Sequence, residues 1–241
     1  MAEGGGTVAL ITGVGRVGQI GHAVARAFGE AGVRLVIVDL HAAALAERAA
    51  ELRAQGITVE PSSGDLTAPA AARAAVDVAR RAFGRLDVVV NVAGGLFSYG
   101  PFLEQAPERL DQELTVNLKT TVHVCQAAIP ALLEGGGGAI VNFASIGAVH
   151  GVSNLALYAA AKSAVAGFTR ALAHEFKDRG IRVNAVAPIT VRTGDNVAQL
   201  GTGAGTPMVD VADVVSVVRF LASDEARAVT GQIVPVTGRG D

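Results

Sequence analysis

Tyr158 and Lys162 stand one helical turn apart in Tyr158-Ala159-Ala160-Ala161-Lys162, early in a segment with helical periodicity. Residues four apart share a helix face, so the phenol and the ammonium point into the same space. A free tyrosine titrates near pH ~10 and is a poor base at neutrality. A fixed positive charge beside it favours the phenolate and lowers that pKa, each unit being worth about 1.4 kcal/mol. The pair is therefore predicted to exchange protons in an alcohol–carbonyl interconversion. Ser145 lies just past a β-branched run, where open α/β sheets hold their ligands, and its hydroxyl can hydrogen-bond a substrate oxygen as charge develops there. Asn117 interrupts a long helical segment, a poor place for asparagine by propensity, and its amide can hold a water or a backbone group in line with Lys162. Each residue alone has an ordinary explanation, a helix face or a cap. Their joint order behind a glycine-rich loop carries the argument.

That loop runs Thr12-Gly13-Val14-Gly15-Arg16-Val17-Gly18-Gln19-Ile20-Gly21, after a strand and before a helix. Glycines let the backbone turn sharply and approach a pyrophosphate, while the helix N-terminus supplies free N–H groups and a partial positive charge. Asp39 closes the second apolar run, 18 residues beyond Gly21. A carboxylate there can accept hydrogen bonds from both adenosine ribose hydroxyls and repel a 2′-phosphate, or it can cap the helix that follows. Arg16 pulls the other way, since a guanidinium in the loop can meet a 2′-phosphate; it can equally contact the pyrophosphate or solvent. The balance favours NAD(H), with NADP(H) as the alternative cofactor.

The elements that must position these residues are visible as alternating patterns. Apolar, β-branched runs at 7–12, 33–39, 57–61, 86–91, 139–144, 181–187 and 233–236 read as strands covered on both faces. Helical segments at 21–31, 42–55, 68–83, 107–133, 155–179 and 211–221 separate them. Gly32, Gly56, Gly84, Gly135 and Gly180 fall just past helices, as C-caps should. The alternation predicts an α/β, doubly wound Rossmann-type sheet of about seven parallel strands with helices on both faces. All 241 residues are expected to form one dinucleotide-binding domain, with a loop at 190–207 near the site.

Composition excludes several alternatives. Half of the residues are hydrophobic, 17% are charged, and the net charge of -2 comes with no basic run, which argues against a nucleic-acid surface. No apolar stretch is long enough for a membrane span, and the 1–6 lead-in is short and glycine-rich. The lone Cys125 cannot form an internal disulfide, and without a Cys/His cluster no metal site is expected. A small core residue explains Cys125 better than a reactive thiol does. A cytoplasmic protein is expected.

With these residues in order, the chain resembles the short-chain dehydrogenase/reductase family over nearly its whole length. The resemblance rests on the Thr12 loop, Asp39, Gly64-Asp65-Leu66, Asn91-Val92-Ala93-Gly94, Asn117, Ser145, Tyr158 with Lys162, and the stretch from Pro188 to Thr193. Ser145 precedes Tyr158 by 13 residues, the spacing usual in that family. The resemblance implies that Tyr158 is the general acid/base, that Lys162 binds the nicotinamide ribose, that Ser145 polarises the substrate oxygen, and that Asn117 anchors a relay water. It implies cofactor contacts from Gly13, Arg16, Gly18, Gln19, Ile20, Asp39 and Leu40. Asp65 with Leu66 would meet the adenine, Asn91, Ala93 and Gly94 would line the cofactor, and Pro188, Val191 and Thr193 would hold the carboxamide side.

The chain also departs from that pattern. The loop from Val14 to Gly21 is two residues longer than the commonest form, Gln19 replaces a glycine, Val92 replaces an asparagine and Ile189 replaces the glycine after Pro188. The 193–210 segment is short for a substrate lid. Helical segments 107–133 and 155–179 correspond to those that pair between subunits, so a homotetramer or homodimer is implied. The expected substrate is a small-molecule ketone or secondary alcohol; enoyl reductases of the superfamily space Tyr and Lys farther apart. A 3-oxoacyl-thioester reductase, a non-catalytic dinucleotide-binding relative, and a dehydratase or epimerase on the same fold are the competing readings.

Overall fold

Strands that are apolar on both faces need cover on both sides, and the computed structural model, which describes residues 6–200 and 207–238, supplies it. In β1 (Val8–Thr12), Ala9 and Ile11 enter one core and Val8 and Leu10 the other. In β2 (Arg34–Asp39) the same two-residue period sends Leu35 and Ile37 one way and Val36 and Val38 the other. Between them runs α1 (Ile20–Glu30). The chain continues through α2 (Ala42–Ala54), β3 (Val59–Ser63), α3 (Pro69–Phe83), β4 (Val88–Asn91), α4 (Glu108–Glu113), α5 (Thr120–Glu134) and β5 (Gly138–Phe143). It ends with α6 (Ala156–Phe176), β6 (Ile181–Pro188), β7 (Thr190–Val191), α7 (Gly194–Leu200), β8 (Met208–Val209), α8 (Val211–Ala222) and β9 (Ile233–Val236).

Seven strands form one parallel sheet in the order β3-β2-β1-β4-β5-β6-β9. Helices α1, α2 and α8 bury their apolar faces on one side, and α3, α5 and α6 on the other. The order reverses between β1, which pairs Ile11 with Ile37 of β2, and β4, which pairs Val90 with the same Ile11. Loops leaving the carboxyl ends of strands at such a reversal diverge and open a crevice. Beyond β6 lies the small β7–β8 pair, and its β7 residues Thr190 and Val191 line one side of that crevice.

Three sequence expectations change. The helix expected over 107–133 is not uniform: a π-helical turn, Leu114–Lys119, separates α4 from α5. The hydrophobic pattern continues across it, so periodicity alone does not register the widened turn. The expected loop at 190–207 contains the two-residue β7 and the helix α7, built from a stretch with too few apolar residues to show an amphipathic face; residues 201–206 of it lie outside the described residues, as do 1–5 of the lead-in. Gly135 ends α5 with φ -77 and Gly136 takes the left-handed turn with φ 87. Gly32, Gly56, Gly84 and Gly180 do adopt positive φ past their helices.

Candidate active site

The phosphate loop is built by backbone approach. A Cβ on Gly21 would lie 2.1 Å from the Gly13 carbonyl oxygen, so only glycine lets α1 start against the end of β1. Gly13 and Gly18 take positive φ, 73 and 70. The N-cap of α1 is Gln19, which makes no side-chain capping bond, and the first turn holds no acidic residue. The amino end of α1 thus offers uncapped N–H groups to an anion. Beside it, Asp39 Oδ2 accepts from the Gly15 N–H at 2.8 Å and Oδ1 accepts from the His41 N–H at 3.0 Å. This fixes the carboxylate at the carboxyl end of β2 beside the loop. Leu40 is exposed next to it. A dinucleotide fits this set: bare amides for the pyrophosphate, an anchored acid for ribose hydroxyls, and a cleft of about 650 Å³ leading inward.

That cleft is lined by Gln19, Ile20, Gly94, Ser145, Tyr158, Lys162, Pro188, Val191 and Thr193 among the expected residues. Ser145 follows β5, is buried, and accepts from the Gly147 N–H at 3.3 Å. Tyr158 is in the first turn of α6 and Lys162 in the next. The Lys162 Nζ donates to the Phe143 carbonyl at 2.9 Å and stands 5.8 Å from the centre of the Tyr158 ring. Burial brings its pKa down from 10.5 to about 8, against a raising influence from Glu113. The expected lowering of the Tyr158 pKa is not what the protein alone produces. Burial pushes the phenol up from 10.0 to about 12, the Ser145 hydroxyl opposes that, and Glu113 adds to it. Desolvation outweighs the Ser145 hydrogen bond here, because burial strips water from the phenolate.

Asn117 sits in the π turn and is fully buried. Its amide clamps the β4 loop: Oδ1 accepts from the Gly95 N–H at 3.1 Å and Nδ2 donates to the Gly95 carbonyl at 2.9 Å. Nδ2 also meets the Glu113 carbonyl at 3.1 Å and Glu113 Oε2 at 2.8 Å. Of the two partners expected for this amide, the structure shows the backbone group. A Cβ on Gly94 would come within 2.7 Å of Asn117 Oδ1 and 3.3 Å of Lys162 Nζ, so this glycine keeps both polar groups in place.

Other expected residues stand elsewhere. The Asn91 side chain points into the interior, donating to Asn142 Oδ1 at 2.9 Å and to Cys125 Sγ at 3.4 Å. Leu66 packs into the core on the α3 and α5 side, and its carbonyl lies 3.0 Å from His123 Nδ1. Asp65 is exposed, its Oδ1 accepting from the Thr67 N–H at 2.9 Å, and those Thr67 hydrogen bonds hold its carboxyl below the usual range. Ala93 donates its N–H to Thr12 Oγ1 at 2.9 Å, tying the segment after β4 to the end of β1. Arg16 is paired with Asp195 of α7, so its guanidinium bridges the phosphate loop and the helix opposite. Cys125 is buried and its thiol is pushed up to about 12, which fits a core residue.

Sequence reasoning missed Glu113 and the apolar wall made by Leu96, Phe97 and Tyr99. A glutamate inside a long helix reads as solvent-facing, yet its spacing of four from Asn117 was a legible signal. The wall residues follow Gly94-Gly95 in a stretch without periodicity, and exposed aromatic residues there were the available clue.

Comparison with known proteins bears on the family and the fold. Residues 13–238 match the family described as enoyl-(acyl carrier protein) reductase. D-threitol dehydrogenase of Mycolicibacterium smegmatis is 34% identical, over 97% of this chain and 92% of its own. The solved structure of a 7α-hydroxysteroid dehydrogenase complexed with NADH and 7-oxo glycochenodeoxycholic acid superposes with a TM-score of 0.89 at 29% identity, covering 98% of this chain and 94% of that one. L-sorbose reductase of Gluconobacter frateurii, complexed with NADPH and L-sorbose, gives a TM-score of 0.87 at 28% identity, covering 97% and 95%.

Proposed function

This chain belongs to the short-chain dehydrogenase/reductase family, whose members are nicotinamide-dependent oxidoreductases acting on CH–OH and C=O groups, and we propose that it reduces a neutral ketone or oxidises the matching secondary alcohol through Ser145, Tyr158, Lys162 and Asn117. The observation that carries this reading is the convergence of Ser145, Tyr158 and Lys162 on one cleft beside the uncapped amino end of α1. The bound nicotinamide supplies the two-electron chemistry, giving or taking a hydride at its ring. Tyr158 gives its hydroxyl proton to the substrate oxygen in reduction and takes it back in oxidation. Ser145 holds that oxygen and stabilises the charge gathering on it. Lys162, already fixed by the Phe143 carbonyl, would hold the nicotinamide ribose, and its charge would favour the phenolate when the cleft is filled. Asn117 keeps Gly95 and the cleft wall in register rather than standing free.

The Tyr–Lys spacing favours carbonyl chemistry over enoyl reduction despite the name of the matched family. Among the described residues the cleft lining carries no basic side chain apart from Lys162, and Leu96, Phe97, Tyr99, Ile189 and Val191 add apolar surface beside its neutral polar groups, which supports a neutral substrate over an acyl thioester with an acidic carrier. NAD(H) is the favoured cofactor, because an anchored carboxylate at Asp39, at the end of β2, would repel a 2′-phosphate and Arg16 is engaged by Asp195. A homotetramer or homodimer is supported by an apolar groove between α5 and α6, lined by Val122, Ile129, Pro130, Phe168 and Leu172. Among the described residues no helix is long and apolar enough to cross a membrane, and a lone buried thiol fits a reducing, cytoplasmic setting.

Following reduced-nicotinamide absorbance with a panel of neutral and anionic ketones tests the reading. Turnover of neutral ketones is expected, and none with any carbonyl or alcohol would remove the catalytic assignment. For the cofactor, wild type is expected to bind NADH in preference to NADPH, and Asp39→Ala to narrow that preference by about ten-fold, the worth of a hydrogen bond to a charged group. A wild-type preference for NADPH would reverse the choice.

A further inference from the structure

One buried carboxylate has no part in the mechanism above. Glu113 closes α4 four residues before Asn117 and is fully buried. Its Oε1 accepts from the Phe97 N–H at 2.7 Å, from the Ser98 N–H at 2.7 Å and from the Ser98 hydroxyl at 2.8 Å. Its Oε2 accepts from Asn117 Nδ2 at 2.8 Å. All four partners donate, which suits an acceptor-only carboxylate. Taking such a group out of water is costly unless every bond is made, and helix packing alone would be served as well by an apolar side chain. The donors it gathers are not scattered. They belong to Asn117 and to the segment that supplies Leu96, Phe97 and Tyr99 to the cleft opposite Tyr158 and Lys162.

We propose that Glu113 is a positioning residue for the reaction, locking Asn117 and segment 95–98 into one unit against the Tyr158–Lys162 pair. It acts through these groups and touches neither substrate nor cofactor. The assignment rests on the Ser145–Tyr158–Lys162–Asn117 reading given above. Its charge has a second consequence. It raises the proton affinity of both the phenol and the ammonium, so it keeps Lys162 charged while opposing early ionisation of Tyr158. The other groups acting on the pair are the Ser145 hydroxyl on the phenol, the Phe143 carbonyl on the ammonium, and burial on both.

Two variants test this, Glu113→Gln, which keeps the shape and loses the charge, and Glu113→Asp, which keeps the charge and loses the reach. In Glu113→Gln an amide N–H must face one of the present donors. The expected result is a loss of kcat of about ten-fold or more, unchanged NADH affinity, and an alcohol-oxidation profile whose rise with pH begins at lower pH, because the charge opposing the phenolate is gone. Glu113→Asp should lower kcat while keeping the wild-type inflection. A Glu113→Gln enzyme with wild-type kcat overturns the proposal, and so does lost activity with an unmoved inflection, which is what packing damage alone would give. Should the glutamine variant not fold, wild-type kcat and KM in Glu113→Asp would overturn it. Failure of the underlying reading looks different, since it would show as Tyr158→Phe retaining turnover in an otherwise wild-type chain.

Discussion

Replacing Lys162 by methionine should make the stability gap between wild type and variant depend on pH. The ammonium is buried with one hydrogen bond, to the Phe143 carbonyl, and burial lowers its pKa from 10.5 to about 8. In the unfolded chain the ordinary value returns. Folding at neutral pH therefore desolvates a charged lysine at a cost of about 3 kcal/mol relative to a solvated one. Between pH 8 and 10.5 the unfolded chain binds more protons than the folded one, so this contribution to stability rises with pH across that window and then levels off. Methionine does not titrate. It also leaves the Phe143 carbonyl without its donor, at about 1–3 kcal/mol, but that loss is the same at every pH and leaves the span of the difference intact. Urea denaturation of the cofactor-free proteins from pH 7 to 10.5 should show wild type gaining about 3 kcal/mol on Lys162→Met. A difference that stays flat with pH would mean that the ammonium remains hydrated, and the buried site described here would be wrong.

Two further outcomes follow from contacts. Gly94→Ala places a methyl within 2.7 Å of Asn117 Oδ1 and 3.3 Å of Lys162 Nζ, so it should destabilise the fold by about 1–3 kcal/mol and cut kcat by more than it raises KM; wild-type kinetics would show that this approach is not needed. Cys125, buried with its thiol near 12, should resist thiol reagents at pH 8 in the native protein and react at the rate of unfolding; rapid modification without denaturant would contradict its burial.

Much of this arrangement was legible from residue types alone. A strand apolar on both faces has few solutions, and the run 33–39 declared itself because Leu35 to Val38 offer no polar face, and all four are buried. Tyr158, Lys162 and Ser145 were legible because helix periodicity and a strand end set their directions before any tertiary contact is known. What stayed hidden depends on long-range contact. Leu66 and Asn91 belong to motifs that the resemblance sets beside a cofactor, but their side chains turn into the core, where Asn91 joins a ladder through Asn142 to Thr169. The π turn leaves the hydrophobic pattern unbroken, so the four-residue spacing of Glu113 and Asn117 was visible but their placement inward was not. The direction of the Tyr158 shift needed the burial of the phenol, which the Tyr–Lys spacing does not encode.

The most direct measurement is ketone reduction by Tyr158→Phe beside wild type, with NADH binding followed in the same preparations. Removing one oxygen atom should lower turnover by about a hundred- to ten-thousand-fold, the worth of a positioned proton donor, while NADH binds as before. Turnover equal to wild type would mean that the proton comes from elsewhere, and that the helical pair facing the cleft is not the centre of the chemistry.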